Sequence, residues 1–545
     1  MKKIILFLIL ATCVFAQNRE TRAVWVATNF RLDWPPPVYD ETEQKLVLDE
    51  IFRTIKKKNF NTVYFQTVVK ATALYYSKSL PFSPYISGFG ERIVDYDPLR
   101  YAVSLARYYG LEIHAWINTA RVFSGDEYEF LDLPEHVTRL HPDWIVSYGS
   151  GRDKSYWLDL GIPQARTFMV NVAKEIAQNY DVDGIQFDFL RYPGKNFDDT
   201  KTFEQYGDTL TLEDWRRENI NSFLRDAYDS IKAIKPLLKL GAAPFGIYKN
   251  IPGAEGGESF SLVYQDSRKW LAEGVLDYLV PQTYWDINEN PRFDSLAYDW
   301  AKHSYGRNIV LGVAAYKRDV ISQKEKITEI ARNAGVAGLA FFRYSFIENV
   351  DFPLFDKFVY PKEMPWLDAN VPLKPLAFSV DVNDGFFVLH WKKSPSQVKY
   401  YSLYDVTTEP NIIALFPADA NYARMKITHP KAIVNKFQLR AVSKLWNESK
   451  PTKTVTVELK ELEKLVNTND VIAKKPFVFK SGDEFFLVVY SANKNKIRIT
   501  SAKRRAVYTL ERGVNIVRLD FHITGNVSLE FTNENKTIKI NRPLK

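Results

Sequence analysis

The sequence predicts an α/β protein, a (β/α)8 TIM barrel followed by two small all-β sandwich domains, and three observations carry that prediction. Eight short apolar segments alternate with amphipathic ones over roughly the first 340 residues after the leader. Several of these segments end in polar or aromatic residues, as strands do when their carboxyl ends line a ligand site. Beyond a proline-rich stretch from Tyr360 to Pro375 the helical spacing stops and strand-like alternation takes over. A chain of 545 residues also exceeds the roughly 250 to 300 residues that one hydrophobic core supports.

The chain opens with Lys2 and Lys3, an apolar run from Ile4 to Ala11, and Val14-Phe15-Ala16 before Gln17, which reads as a secretory signal over residues 1–16. That run is too short to span a bilayer, and no later stretch of about 20 apolar residues follows. An exported protein, periplasmic, extracellular or at the cell surface, is expected. Cys13 is the only cysteine, so cleavage after Ala16 leaves none for a disulfide. A rival reading attaches lipid to Cys13, but Thr12 is a poor residue before such a cysteine.

The strands, in order, are expected at Ala23 to Asn29, Asn61 to Val68, Leu111 to Thr119, Asp183 to Phe189, Leu240 to Gly246, Tyr278 to Trp285, Asn308 to Tyr316 and Gly338 to Ser345. Between them, Lys45 to Asn59, Asp97 to Gly110, Ala165 to Tyr180 and Glu325 to Gly335 carry apolar residues at helical spacing. The fourth strand organises the rest. Period-two alternation sets Gln186 and Asp188 on one face and Ile185, Phe187 and Phe189 on the other, so a carboxylate stands at the end of a buried strand. A structural aspartate that caps the next loop or pairs with Arg191 is the competing reading.

Other strand ends add to this set. His114, Trp116 and Asn118 share a face on the third strand, Gln282 and Tyr284 on the sixth, Gln66 ends the second, and Arg343 with Tyr344 ends the eighth. Together they describe a polar, aromatic-walled pocket suited to sugar rings and hydroxyls. Long loops, Arg121 to Gly161, Gly194 to Trp215 and Ile247 to Asp266, are expected to roof it. Asp183 and Asp277 begin strands and fall on the stability face.

Residues 17–366 therefore form the barrel. Residues 371–459 are expected to form a β-sandwich, with Trp391 in an early strand and strand patterns at Phe386 to Trp391, Val398 to Val406 and Lys436 to Val457. Residues 465–545 alternate apolar and polar and suggest a second small sandwich. The formal charge of +8 favours polyanions or an acidic wall surface, or marks a merely soluble basic protein. No zinc-ligand spacing, phosphate-binding glycine loop or nucleic-acid motif is present, so neither cofactor nor nucleic-acid partner is expected.

The motifs RAVWVATN with DWP (Arg22 to Pro35), NTVYFQ (Asn61 to Gln66), YDPLRYAV (Tyr96 to Val103), LEIHAWIN (Leu111 to Asn118), VDGIQFDFLRYP (Val182 to Pro193) and DSRKWLAEGVLDYLVPQTYW (Asp266 to Trp285) occur in one order along the barrel. In them the chain resembles the bacterial glycosyl hydrolase-like family 10, secreted (β/α)8 barrels related to glycoside hydrolases. The resemblance implies action on a glycan, with peptidoglycan strands as the substrate class. It carries over Asp188, Arg191, Tyr192, Asn118, His114, Gln282, Tyr284 and Trp285. Departures stand beside these matches: Val68, Ala71 and Thr72 replace the family's arginine and glycine-aspartate pair, Gln186 replaces a histidine, Phe189 replaces a second aspartate, and Asn118-Thr119-Ala120-Arg121 replaces Asn-Pro-Tyr-Arg. The segment from residue 371 resembles a fibronectin type III module through Trp391 and the closing pattern of Leu439 to Val442, Asn447, Glu448, Ser449 and Pro451.

Glycosidic hydrolysis ordinarily uses two carboxyl groups. Asp188 is the first, expected as nucleophile or electrostatic stabiliser and kept ionised by Arg191. For the second, Asp286 lies just past the sixth strand and Glu258, with Glu255, sits in the loop after the fifth; Asp159 and Asp266 are weaker, Asp266 reading as a helix cap. The competing class is a secreted glycan-binding or scaffolding protein on a barrel without turnover, motivated by Val68, Ala71 and Thr72 and the appended β-modules. A hard cation held by Asp188 and neighbouring acids is a minor third reading.

Overall fold

The computed structural model describes residues 19–90, 94–383, 386–426, 434–458, 477–481, 484–491, 495–501, 504–510, 513–519, 527–531 and 536–540. The leader over residues 1–16 and Cys13 lie outside the described residues. The chain divides into two compact units, with the boundary in sequence between Ala369 and Asn370, inside the proline-rich stretch.

The first unit is a closed parallel barrel. Its strands are β1 (Thr21–Val26), β2 (Thr62–Val69), β3 (Glu112–Asn118), β4 (Gly184–Asp188), β5 (Lys239–Ala242), β6 (Tyr278–Leu279), β7 (Asn308–Ala314) and β8 (Gly338–Phe342). Each pairs in parallel with the next, and β8 pairs with β1 to close the ring. Seven helices alternate with them: α1 (Glu41–Lys57), α2 (Pro98–Tyr109), α3 (Pro163–Asn179), α4 (Leu212–Ile234), α5 (Ser267–Ala272), α6 (Phe293–Lys302) and α7 (Lys324–Ala334). The expected eighth helix is replaced among the described residues by a 3-10 turn, Tyr344–Phe346, and irregular chain.

Local chemistry sets the helix ends. The Asp97 side chain accepts the Arg100 amide at 3.0 Å, Pro98 opens α2, and Gly110 closes it in the left-handed region at φ +65°. On α1, Asp40 accepts the Glu43 amide, acids occupy the first turn and Lys56 and Lys57 the last. Leu48, Ile51, Phe52 and Ile55, at helical spacing, face the sheet.

Alternation along the strands separates two cores. Val24, Val63, Phe65, Ile113, Ile117, Ile185, Phe187, Leu311 and Phe341 point outward and pack under the helices. Ala23, Trp25, Tyr64, Trp116, Tyr278, Val310 and Ala340 fill the barrel interior. The amino-terminal end of that interior holds a buried polar group: Lys239 and His114 both reach Glu112, and His114 Nδ1 lies 2.6 Å from the Tyr278 hydroxyl. A Cβ on Gly241 would stand 2.2 Å from the Tyr278 ring, so only glycine lets that ring enter. Asp183 and Asp277 sit at the same end, tied to Arg107 and to Lys232.

Two expectations about strands change. Pro281 has no N–H to continue the ladder, so β6 is two residues long, and Gln282 and Tyr284 leave it in consecutive tight turns. Phe189 does not continue the outward face of β4: it turns to φ +50° directly after Asp188.

Of the expected roofing loops, the first folds into an antiparallel sheet of Arg121–Ser124, Ser155–Leu158 and Ile145–Tyr148. The second carries a helix at Thr200–Tyr206, held down where Arg216 pairs with Asp199.

Among the described residues the second unit contains four sheets. Leu376–Asn383, Phe386–Lys392 and Tyr422–Lys426 form one, and Asn411–Pro417, Tyr400–Asp405, Val434–Val442 and Val455–Glu458 form another. Their inward residues, Val380, Phe387, Leu389 and Trp391 from the first and Tyr401, Leu403, Phe437 and Leu439 from the second, make one core. The remaining seven strands, from Phe477–Ser481 to Lys536–Ile540, likewise make a three-stranded and a four-stranded antiparallel sheet around Val478, Leu487, Ile497, Ile499 and Leu529. No helix among the described residues is long and apolar enough to cross a membrane.

The buried pair at the barrel floor gives a stability prediction. Glu112→Gln leaves the Lys239 ammonium buried without its counter-charge and costs about 3 to 5 kcal/mol, to be measured by urea unfolding at pH 7. Burial alone would raise the Glu112 carboxyl, but the Lys239 charge and then His114 overcome it and hold it at about 2. Its folded value is thus below the unfolded value of about 4.3, so this stabilisation is complete above that pH and is lost as pH falls toward 2. Unfolding midpoints of the wild type show that slope, and those of Glu112→Gln lack it.

Candidate active site

At the carboxyl ends of the strands the barrel opens into a cavity of about 160 Å³. Its walls are Trp25, Ala27, Asn29 and Leu32 from β1 and its loop, Gln66 from β2, Trp116 and Arg121 from β3 and beyond, Asp188 and Phe189 from β4, Gln282 and Tyr284 after β6, and Phe342 from β8. Among the described residues lining it, Asp188 is the one carboxylate.

Asp188 is 8% exposed. Its Oδ1 accepts the Phe189 amide at 2.7 Å and lies 3.5 Å from the Gln282 amide nitrogen. Burial raises its pKa above the ordinary carboxyl value, although the Phe189 amide, then the charges of Arg191 and Arg121, and then the Trp116 N–H pull it down. Arg191 acts through space, as expected, in favour of the ionised form, and so does Arg121, while desolvation acts against it and sets the upward direction of the shift. Tyr284, facing the same cavity, is pushed well above its ordinary value by burial and by the Asp188 charge, so its hydroxyl stays protonated.

In the walls the buried Asn29 Oδ1, an acceptor, has no partner, and the Trp116 Nε1–H, close enough to Asp188 to lower its pKa, makes no well-formed hydrogen bond among the described residues. Behind them Gln186 Oε1 accepts from Trp25 Nε1 at 2.7 Å, while its Nε2 is also unpartnered. A buried polar group without a hydrogen bond costs about 1 to 3 kcal/mol, and a ligand that supplies the missing bonds recovers it.

The expected site residues divide. Asp188, Gln66, Trp116, Gln282 and Tyr284 meet in the cavity. Gln66 is mostly a fixture: its Oε1 accepts the Thr28 and Asn29 amides at 2.8 Å each, and its Nε2 reaches Asn118 at 3.3 Å. Asn118 and Gln186 thus stand one layer back from the walls.

The others lie elsewhere. His114 belongs to the Glu112 group at the opposite end of the barrel, because it is the third residue of β3 and the mouth is reached only at the fifth, Trp116. Tyr192 is buried against Phe197 and Tyr264, its hydroxyl accepting from Asn219 at 3.1 Å. Arg343 is turned to Asp33, Leu32 O and Ser345, each at 2.6 Å, and ties the end of β8 to the loop after β1. Trp285 packs beside Gly246 and is not among the cavity walls.

The candidates for a second carboxylate are all engaged in structure. Asp286 Oδ1 accepts the Asn288 and Glu289 amides at 2.9 and 3.0 Å, capping its own turn. Glu258 accepts the Asn250 amide and then the Ser261 hydroxyl, which lower its pKa and hold it ionised at the start of a helical turn. Glu255 is exposed, facing Asn290. Asp159, raised to about 6 by burial, takes Thr202 and Gly161. Asp266 precedes α5 without a side-chain cap bond and instead accepts from Tyr248 at 2.7 Å. No group of three or more His, Cys, Asp or Glu arranged to hold a metal occurs among the described residues.

Val68, Ala71 and Thr72 are buried and none lines the cavity, so these departures leave its walls untouched. Their neighbour Lys70 is buried against Phe30, Phe123 and Phe130 and ion-paired to Glu127, a local charge pair beside the mouth.

Sequence reasoning missed Trp25, Asn29, Leu32, Arg121, Phe189 and Phe342 as walls. Trp25 and Phe342 carried a signal, since each is at an inward-facing position near a strand end. Phe189 and Arg121 did not, because one enters through a positive φ and the other from a loop.

The family described as Glycosyl hydrolase-like 10 matches residues 20–328. Glycosyl hydrolase YngK of Bacillus subtilis (strain 168) is 30% identical over 482 residues, 81% of this chain and 94% of that protein. Glycosyl hydrolase DigH of Escherichia coli (strain K12) is 32% identical over 330 residues, 55% of this chain and 74% of that one. Among solved structures, the PgaB (BpsB) glycoside hydrolase domain from Bordetella bronchiseptica matches with a TM-score of 0.46 at 14% identity, over 62% of this chain and 97% of that domain.

The placement of Tyr192 is open to a direct check. Tyr192→Phe loses one buried hydrogen bond and costs about 1 kcal/mol of stability in thermal unfolding, with glycan affinity by calorimetry unchanged. Gln282→Ala, in the cavity wall, weakens that affinity instead.

Proposed function

Because the chain belongs to the glycosyl hydrolase-like 10 family, we propose that its glycosidase-type barrel is an exported glycoside hydrolase acting on peptidoglycan-like glycan strands, with Asp188 as the proton donor. The observation that carries this reading is the burial of Asp188 in the mouth cavity, which favours the protonated carboxyl. The Asp188 O–H gives its proton to the glycosidic oxygen, and the bond from that oxygen to the anomeric carbon breaks. Water then places its hydroxyl on the anomeric carbon, and its other proton restores the Asp188 acid. Gln282, beside the carboxyl, and Tyr284, a fixed donor, orient the sugar, and Trp25 and Trp116 with Phe342 provide apolar faces for its ring.

The peptidoglycan assignment rests on the family resemblance, and export on the sequence of residues 1–16. Residues 371–459 are read as a fibronectin type III-like module on their three-plus-four strands and buried Trp391.

One observation favours a second reading, a glycan-binding protein without turnover: Asp286 and Glu258 are occupied as caps, leaving a single carboxylate in the walls. Incubation with peptide-free peptidoglycan strands and a panel of bacterial and plant polysaccharides, with released saccharides read by mass spectrometry, separates the two. The hydrolase releases saccharides, Asp188→Asn lowers the rate by about 10²- to 10⁴-fold, and Asp286→Asn and Glu258→Gln leave it nearly unchanged. Binding without release by the wild type contradicts the hydrolase. For a general acid the rate falls as pH rises through the Asp188 pKa, so the basic limb of kcat/KM lies above the ordinary carboxyl value of about 3.9.

A further inference from the structure

Two half-buried arginines flank Asp188, Arg121 among the cavity walls and Arg191 nearby, and neither has a hydrogen-bonded or ion-paired partner among the described residues. Arg121 follows β3, and Arg191 stands three residues beyond Asp188. The Phe189 ring, brought into the mouth by its positive φ, lies between them: its centroid is 3.4 Å from the Arg121 guanidinium carbon and 5.0 Å from that of Arg191. Trp157 and Phe245 add faces at 5.4 and 4.7 Å from Arg191. Beyond these ring contacts, neither guanidinium makes a hydrogen bond or ion pair with a protein group among the described residues. Arg216, by contrast, is buried with Asp199, Tyr264 and two carbonyls around it, and Arg343 has Asp33.

A guanidinium carries five donors and does not lose its charge at neutral pH. Burial and, for Arg121, the neighbouring Arg191 bring these two down to about 10, still cationic at neutral pH. The one carboxylate beside them is Asp188, which burial biases toward its neutral form. The mouth thus holds one or two positive charges in excess, on two half-buried guanidiniums without an ion-pair partner among the described residues. A neutral sugar leaves that excess in place, while a carboxylate matches the planar guanidinium fork and cancels it.

Resting on the reading of this mouth as a glycan site, we infer that Arg121 and Arg191 form a receptor for a carboxylate carried on the sugar. Two sources share that chemistry, the ring carboxylate of a uronic acid and the free lactyl ether carboxylate of a muramic residue. In the second case a peptide attached through that carboxyl makes it an amide and removes the charge. The pair selects acidic over neutral strands and fixes which sugar lies over Asp188.

The test is calorimetric and needs no turnover. The full-length Asp188→Asn protein is titrated with peptide-free peptidoglycan oligosaccharides, with the same oligosaccharides after conversion of their carboxyls to methyl amides, and with oligogalacturonates. Amidation weakens binding about 10- to 100-fold, the range for losing a charge-assisted hydrogen-bonded contact. Adding Arg121→Gln removes that difference, Arg121→Lys keeps part of it, and circular dichroism melting shows that each variant is folded. Tight binding of oligogalacturonates alone assigns the uronic acid source; carboxylate-dependent binding of the muramyl strands assigns the other. Equal binding of acid and amide forms, no binding of any strand, or an Arg121→Gln loss equal for both forms overturns the inference. Carboxylate-dependent binding with no cleavage of any strand by the wild type sinks the hydrolase and leaves the receptor. Cleavage indifferent to amidation does the reverse.

Discussion

The desolvation of one carboxyl group governs the chemistry of this barrel. Asp188 ends β4, a strand paired in parallel on both sides, and the Phe189 amide fixes its carboxyl in the mouth. Two cations stand close enough to favour its charged form, yet burial prevails because neither closes an ion pair with it. The same burial acts on every group around it. Tyr284 is held protonated, the arginines are lowered but remain cationic, and the buried Trp116 N–H lies close enough to Asp188 to act on its carboxyl.

The two ends of the barrel treat charge in opposite ways. At the floor Glu112, Lys239, His114 and Tyr278 satisfy one another, and the result is a stable plug. At the mouth polar atoms are buried and left unsatisfied, an arrangement that lowers stability and is retained where a ligand completes it. The acidic residues that sequence position offers as a second catalytic carboxyl, Asp286 and Glu258, are spent on turns next to the mouth. What distinguishes this site is one wall carboxyl flanked by two cations that have no ion-pair partner among the described residues.

Much of this was legible in the sequence because it follows from periodicity. Outward Ile185 and Phe187 and inward Gln186 and Asp188 are fixed by alternation alone, and so are Trp116 and Asn118 on the mouth side of β3. Distance along a strand was harder to read. His114 shares a face with Trp116 and Asn118 but lies at the other end of the barrel, since each step of two residues moves about 7 Å along the axis of the strand. Side chains that turn away from their strand end were equally hidden: Arg343 swings to Asp33, and Tyr192 into the core beside Asn219. Phe189 was placed on the wrong face because only its backbone, at φ +50°, decides the matter.

The account stands on the protonation of Asp188, and a carboxyl titration measures it without reference to any substrate. Infrared difference spectra of the wild type against Asp188→Asn, recorded across pH, isolate the stretching band of that one carboxyl. A midpoint above the ordinary aspartate value of about 3.9 is predicted, since burial dominates. A midpoint at or below that value would show the arginines in control and Asp188 ionised, contradicting its role as proton donor.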